Sequence, residues 1–283
     1  MVSGGLLALK EMLEQLKPSE RKVAEYIMAN PHEIVSISIQ KLAELSGVSE
    51  ATIVRLCQRL NMKGFQDLKL RVAGDLASSQ LSGGYEEIRM EGPLEQLMQS
   101  ISNNNKQSID DTLTVLSAEE VRKAADALLH ARRIAVFGMG ASFIIAEDLR
   151  QKLVRIGCWC EAYPDFHGQL TAAVNLGPGD VAFGVSYSGQ TVEIVESIKE
   201  AKQQGATIIT LTKFGKFPVN ELADIKLFVS SAEQSIRSGA MASRIAQLNV
   251  IDILFITIAS SRKDEVIPLL EKTRLAVNRT KKS

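Results

Sequence analysis

The chain has 283 residues, 33 Lys and Arg against 33 Asp and Glu, and 45% hydrophobic side chains. That content supports real cores and excludes a disordered chain, and the balance of charge gives no overall field that would single out a partner. Three scattered histidines (His32, His130, His167) and three cysteines, two of them in a lone Cys158-x-Cys160, argue against a disulfide framework and a metal cluster; no metal or cofactor is expected.

No apolar run reaches the roughly 18–20 residues of a membrane span. The start, Met-Val-Ser-Gly-Gly, lacks the basic and apolar regions of a signal peptide. A cytoplasmic protein of two domains is the expectation.

Residues 1–77 read as an all-α module. Lys17-Pro18-Ser19-Glu20 opens a helix that Asn30-Pro31 closes. A second helix starts at Ser38 and runs through Leu45, and Gly47 suits a left-handed cap. Ser49 then caps a third helix that carries Ile53, Leu56, Cys57 and Leu60 on its buried side. Short helix, Gly turn and capped helix form a helix-turn-helix pattern, with Ala43 letting the helices approach and Val48 plugging the turn. The last helix would enter the major groove of DNA by its N-terminal end, with Ser49, Glu50, Ala51, Thr52, Val54 and Arg55 towards bases or phosphates. Arg59, Lys63, Lys69 and Arg71 would follow the DNA backbone: residues 55–71 hold five cations against Asp67 alone. The bland alternative is a helical bundle for protein contacts.

Residues 78–116 read as linker and connecting helix. Ser78 to Gly84 has linker composition, Gly92-Pro93 is a second break, and apolar residues recur from Leu94 to Leu116 around an Asn103-Asn104-Asn105 interruption. That stretch is one long helix or a helix pair. Ser117 to Glu120 is a capping box that opens a helix to Ala131.

From Arg133 onward strands and helices alternate. Strands are expected at Arg133 to Phe137, Cys158 to Tyr163, Asp180 to Val185, Ala206 to Thr212 and Ile225 to Val229, and a mostly apolar helix from about Ala240 to Ala259. Five strands separated by helices imply a parallel sheet in a three-layer α/β/α sandwich over 117–264, followed by a C-terminal helix and basic tail over 265–283. Ligands then sit at the carboxyl ends of the strands.

The third strand runs into Ser186-Tyr187-Ser188-Gly189-Gln190-Thr191, and a helix follows from Val192. Three hydroxyls and backbone N–H groups in front of a helix N-terminus suit a dianionic phosphate. With no Lys or Arg in the turn, a small phosphorylated metabolite fits better than a polyphosphate on magnesium. A plain Ser/Gly loop with a capping serine is the competing reading. Gly138-Met139-Gly140-Ala141-Ser142 lacks the third glycine of a dinucleotide fingerprint and makes better sense as a second loop offering N–H groups and a hydroxyl. After the last strand, Glu233 and Arg237 are placed to meet sugar hydroxyls. Arg244, inside an apolar stretch, needs a carboxylate or phosphate partner.

The chain resembles the RpiR family of bacterial transcription regulators, in which a helix-turn-helix domain is joined to a sugar isomerase (SIS) domain that senses phosphosugars. Pro18-Ser-Glu-Arg-Lys-Val-Ala, Leu42-Ala-x-x-x-Gly-Val-Ser-x-Ala-Thr and Gly64-Phe-Gln-Asp-Leu-Lys carry the first part of the resemblance. Phe137 to Ser142, Ser186 to Thr191 and Arg244-Ile-Ala-Gln-Leu-x-x-Ile-Asp252 carry the second, so it spans essentially the whole chain. It implies phosphate binding by Ser142, Ser186, Ser188 and Thr191, and DNA contact from the helix that starts at Ser49. It further implies homodimers or homotetramers on palindromic operators. The N-terminal stretch and Arg237-Ser-Gly-Ala-Met-Ala-Ser-Arg look most like members that answer to N-acetylmuramic acid 6-phosphate. The competing function is a phosphosugar isomerase or lyase with an appended helical module. Isomerisation needs a general base, and only Glu233 and His167 are evident, neither in a catalytic motif. No catalytic residue is expected.

Overall fold

The computed structural model describes residues 4–60, 62–79, 85, 88, 91–231 and 240–279. The chain divides into two compact units, one taking in the residues up to Val115 and the other beginning at Leu116; Phe214–Lys216, Ser230 and Ser231 go with the first. The expected linker residues 80–84, and with them Gly83 and Gly84, lie outside the described residues, as do Glu233 and Arg237.

In the first unit the helices are α1 (Gly5–Met12), α2 (Pro18–Ala29), α3 (Pro31–Ile34), α4 (Ile39–Ser46), α5 (Glu50–Arg59), α6 (Phe65–Ser79) and α7 (Leu94–Val115), with a short 3-10 turn after α1. Pro18 opens α2, and the Lys17 amide donates to Glu20 Oε2 at 3.1 Å. Asn30 closes α2, and Pro31 at once opens α3. Ser38 caps α4 by accepting from the Lys41 amide, and Gly47 closes it with φ 65°. Val23, Ala24, Ile27, Leu42, Ile53, Leu56 and Leu68 are fully buried and form the core on which α2, α4, α5 and α6 meet. The asparagine triplet does not interrupt α7, which is one helix of 22 residues. Asparagine is only a mild helix former, and three in a run of 22 do not break it.

The second unit carries α8 (Ala118–His130), β1 (Ile134–Gly138), α9 (Ala141–Val154), β2 (Cys160–Tyr163), α10 (Phe166–Ala173), β3 (Val181–Val185), α11 (Val192–Gln203), β4 (Thr207–Lys213), α12 (Pro218–Leu222), β5 (Ile225–Val229), α13 (Met241–Ser261) and α14 (Lys263–Arg279). Ser117 accepts from the Glu120 amide at 3.4 Å, but Glu120 turns its carboxylate to the Lys226 amide, so the capping box is half made. The five strands are parallel, in the order β2-β1-β3-β4-β5. β1 and β3 are buried at every position, which is why both read as unbroken apolar runs. One face carries Val136, Phe183, Ile209 and Leu227 against α8, α9 and α13. The other carries Phe137, Ala182 and Ile208 against α10, α11 and α12. These are the three expected layers.

Helix α13 departs from the reading of apolar runs. It is 21 residues long and holds an 18-residue window with a mean hydropathy of 1.5, enough by length and composition to cross a membrane. Eight of its side chains are buried, and Ala246, Val250, Leu254 and Ile258 belong to the sheet core, so its apolarity serves packing.

At the amino end of the sheet the fully buried Asp180 carboxylate accepts from Arg132 Nε (2.9 Å) and Nη2 (2.8 Å), Arg133 Nη2 (2.9 Å) and the Gly177 amide (3.0 Å). The Arg132 guanidinium, with Arg133 beside it, holds the carboxyl down at about 2.

Candidate functional sites

The strand order reverses between β1 and β3, so the turns after them share the crevice where such sheets take ligands. Gly138, the end of β1, is paired in register with Val185, the end of β3. The β1–α9 turn (Met139 to Ser142) and the β3–α11 turn (Ser186 to Thr191) therefore stand side by side.

Gly138 has no room for a side chain: a Cβ there would lie 2.7 Å from the Ser142 carbonyl oxygen. That contact folds the first turn back on its strand. Gly140 follows with φ 54° and ψ −123°, a conformation that costs an L side chain dearly, and the half-buried Ser142 sits in the first turn of α9.

In the second turn Ser186 is 2% exposed, and its hydroxyl accepts from the Gly189 amide at 3.2 Å and lies 3.1 Å from Thr191 Oγ1. Ser186 thus braces the turn rather than standing open beside the others. Ser188 is exposed and accepts from the Gln190 amide at 3.3 Å. Gly189 is buried with φ 66°, and a Cβ on it would fall 2.6 Å from Phe217 Cβ. The amides of Gly189 and Gln190 are engaged within the turn. Those of Val192 and Glu193, in the first turn of α11, have no acceptor in their own helix and carry its positive dipole end. The ledge so formed offers the hydroxyls of Ser142, Ser188 and Thr191 and helix N–H groups, with no carboxylate, imidazole, Lys or Arg in either turn. It can hold an anion. Arg244 is half-buried in the first turn of α13, just after Ala240 at φ 58°.

One supporting residue gave no sequence signal. Gln169 on α10 is fully buried; its Nε2 donates to the carbonyls of Gly138 (3.2 Å) and Tyr163 (3.0 Å), and its Oε1 accepts from Ser197 at 3.3 Å. It fixes the ends of β1 and β2 against α11. His167, two residues before Gln169 on the same helix, is exposed and lines a cleft of about 460 Å³ with Arg133, Trp159, Glu161 and Tyr163; no residue of the two turns lines that cleft.

In the first unit, α5 has the expected boundaries. Ser49 has cap geometry at φ −83° and ψ 153°, yet its hydroxyl meets Thr52 Oγ1 at 3.1 Å instead of a backbone amide. Thr52 is 4% exposed and faces inward, which corrects its placement on the DNA face. Glu50, Ala51, Val54 and Arg55 are exposed, and so is Gln58, one turn further on the same stripe. Helical spacing from Ala51 and Val54 was the signal for Gln58. Arg55 stays on the surface, bonded to Ala51 O (3.3 Å) and Thr52 Oγ1 (3.2 Å).

Three of the five cations are engaged within the module. Arg59 pairs with the buried Glu20 at 3.2 Å and donates to Gln15 O. Lys69 donates to Ile37 O at 2.9 Å and lies over the Phe65 ring. Arg71, 9% exposed, pairs with Asp67 at 2.8 Å. Lys63 is exposed on the rim of a cleft of about 420 Å³ with Ser38, Gln40 and Gln66. The continuous basic stripe is thus reduced to Arg55 and Lys63. Among the described residues no group of His, Cys, Asp or Glu is placed to hold a metal ion.

Residues 3–79 match the model of the helix-turn-helix domain of the rpiR family, and residues 127–257 match the SIS domain. An uncharacterized HTH-type transcriptional regulator of Caldanaerobacter subterraneus subsp. tengcongensis is 50% identical over 95% of each chain. The regulator YbbH of Bacillus subtilis is 40% identical over 98% of each. The structure of the Vibrio vulnificus NanR protein complexed with ManNAc-6P is similar with a TM-score of 0.62 and 26% identity, over 97% of this chain and 98% of that one.

Proposed function

The chain belongs to the RpiR family of helix-turn-helix transcriptional regulators, and from that premise we propose that its SIS domain senses a phosphorylated sugar and passes that state to DNA. The observation that carries the reading is the pairing of the two turns at the strand-order reversal. The phosphate sits on Ser142, Ser188, the Gln190 side chain, Thr191 and the α11 N-terminus, with Gly140, Ser186 and Gly189 shaping the turns. Arg244, Glu233 and Arg237 serve the sugar. The ManNAc-6P bound to NanR supports an amino sugar phosphate, and N-acetylmuramic acid 6-phosphate remains the specific candidate. On the DNA side, Arg55 with Glu50, Ala51 and Gln58 reads the major groove, while Ser49 and Lys63 approach phosphates. The protein works in the cytoplasm as a homodimer or homotetramer on a palindromic operator. A regulatory rather than enzymatic role is supported by the relatives named HTH-type transcriptional regulators.

A thermal-shift screen of phosphorylated sugars and amino sugars, each beside its unphosphorylated partner, tests this. A ligand at about 100 times its Kd should add about 2.7 kcal/mol and raise Tm, and only the phosphorylated form should do so. Conversion of the ligand at enzymatic rates would instead establish an isomerase.

A further inference from the structure

We infer that the hydroxyl of Thr112 is a latch through which the segment after β5 holds helix α7, and that the latch couples sugar binding to DNA binding; the inference rests on the sensing role proposed above. Thr112 is fully buried on α7. Its Oγ1 accepts from the Ser230 amide at 3.1 Å, and it has two carbonyls in reach for its single proton: Ser230 O at 3.1 Å and Ser108 O, one turn back on α7, at 2.7 Å.

That surplus of acceptors gives the contact two states. With the proton on Ser230 O, one side chain closes both backbone groups of Ser230, as a neighbouring strand would. With the proton on Ser108 O, the hydroxyl makes the ordinary back-bond of a helical threonine. If Ser230 moves away, α7 is therefore left with no unsatisfied donor. Thr112 keeps a bond within its own helix when Ser230 leaves, so its contact with Ser230 can be biased from outside.

The latch is placed where a bias would arise and where it would matter. Ser230 directly follows Val229, the last residue of β5, at the carboxyl edge of the sheet. Two residues along α7 from Thr112, the Thr114 carbonyl accepts from the Gly4 amide at 3.3 Å. The first turn of α1, which follows Gly4, is tied down by Asp75 on α6, whose Oδ2 accepts from the Leu6 amide at 2.6 Å. α6 packs in turn on α5, the DNA-reading helix. Ser230, Thr112, Thr114, Gly4 and Asp75 all fall within the first unit.

The test uses the full chain, an operator recovered by selection from random DNA, and ManNAc-6P and N-acetylmuramic acid 6-phosphate in parallel. Operator Kd is measured by fluorescence anisotropy with and without each sugar phosphate, and sugar affinity by calorimetry. In the wild type one sugar phosphate shifts operator Kd by about tenfold or more. Thr112→Val, which keeps the shape and removes the hydroxyl, should bring that ratio close to one with sugar affinity changed less than about twofold, and Thr112→Ser should restore it. A Thr112→Val protein with the wild-type ratio overturns the latch. A wild type whose operator affinity ignores both sugar phosphates overturns the sensing role itself. Should Thr112→Val fold too poorly to assay, hydrogen exchange of the Ser230 amide in the wild type decides: exchange must change when the sugar phosphate binds, and unchanged exchange overturns the latch.

Discussion

The two candidate sites treat their polar residues in opposite ways. In the β3–α11 turn the sequence promises hydroxyls, and the fold keeps Ser188 and Thr191 at the surface while one, Ser186, turns in to hold the others. In the helix-turn-helix the sequence promises a basic stripe, and the fold turns Arg59, Lys69 and Arg71 onto their own module. A short neutral turn cannot reach distant partners, so its chemistry stays local. A long cation can reach across a small domain, so counting charge along a window overstates the footprint.

Substitutions can widen or erase that contrast. The largest effect is expected at Gly189. Gly189→Val combines a left-handed φ with a collision against Phe217, and should cost about 3 kcal/mol or more by the usual strain and overpacking penalties. The second unit should melt markedly lower in calorimetry and sugar phosphate binding should go with it. Next is Arg59→Met, which strands the buried Glu20. About 2 kcal/mol is expected, below the fully buried case because the guanidinium is partly exposed, and it would appear in denaturant melts of the protein without DNA. If Arg59→Met leaves stability intact and weakens only operator binding, the contrast between the sites is gone.

Arg55→Ala should do the reverse of Arg59→Met. Operator affinity falls by about 1–3 kcal/mol if Arg55 meets a base edge, while stability moves by less than about 0.5 kcal/mol. Ser188→Ala is its counterpart in the other unit: sugar phosphate affinity falls by about 1.5–3 kcal/mol, as for a lost bond to a charged group, and the ligand-free Tm stays put.

The smallest effects are in pH, and they have opposite signs. Asp180 titrates at about 2 in the fold against 3.8 ordinarily. Its contribution is present above about 4 and is lost as pH falls towards 2. Burial pushes Asp75 up to about 6, and burial raises Asp111 too. The folded state therefore binds the Asp75 proton more tightly, and its contribution is present below about 4 and is lost as pH rises towards 6. Melts from pH 3 to 7 should show Asp75→Asn flattening the upper limb and Arg132→Met flattening the lower one.

The sheet was legible because strands buried on both faces have no polar residues to hide their run, as in Val181 to Val185. The helix-turn-helix was legible because a small residue, a left-handed glycine and a capping serine must occur at fixed offsets. Helices α1, α3, α6 and α12 were missed; α1, α3 and α12, at eight, four and five residues, give too little periodicity to read, and α6 was read only for its cations. Which cation stays outward was not legible, since the Lys69 partner lies 32 residues away. Thr52 was misplaced because Thr is polar enough to be assigned to the surface yet small enough to pack beside Ser49. Gln169 looked like one more polar residue of a short helix, and only the meeting of β1, β2 and α11 gives it three partners.

The absence of Lys and Arg from the two hydroxyl-bearing turns bears on ionic strength. Fixed dipoles and hydroxyls hold no counterions to release, so metabolite affinity should vary little with salt and should follow the ligand's own second ionisation near about pH 6. Binding to DNA, by contrast, weakens steeply as salt rises. Osmotic stress would thus loosen the operator while leaving occupancy by the sugar unchanged, so that a regulator with one metabolite input would answer to the salt content of its surroundings as a second.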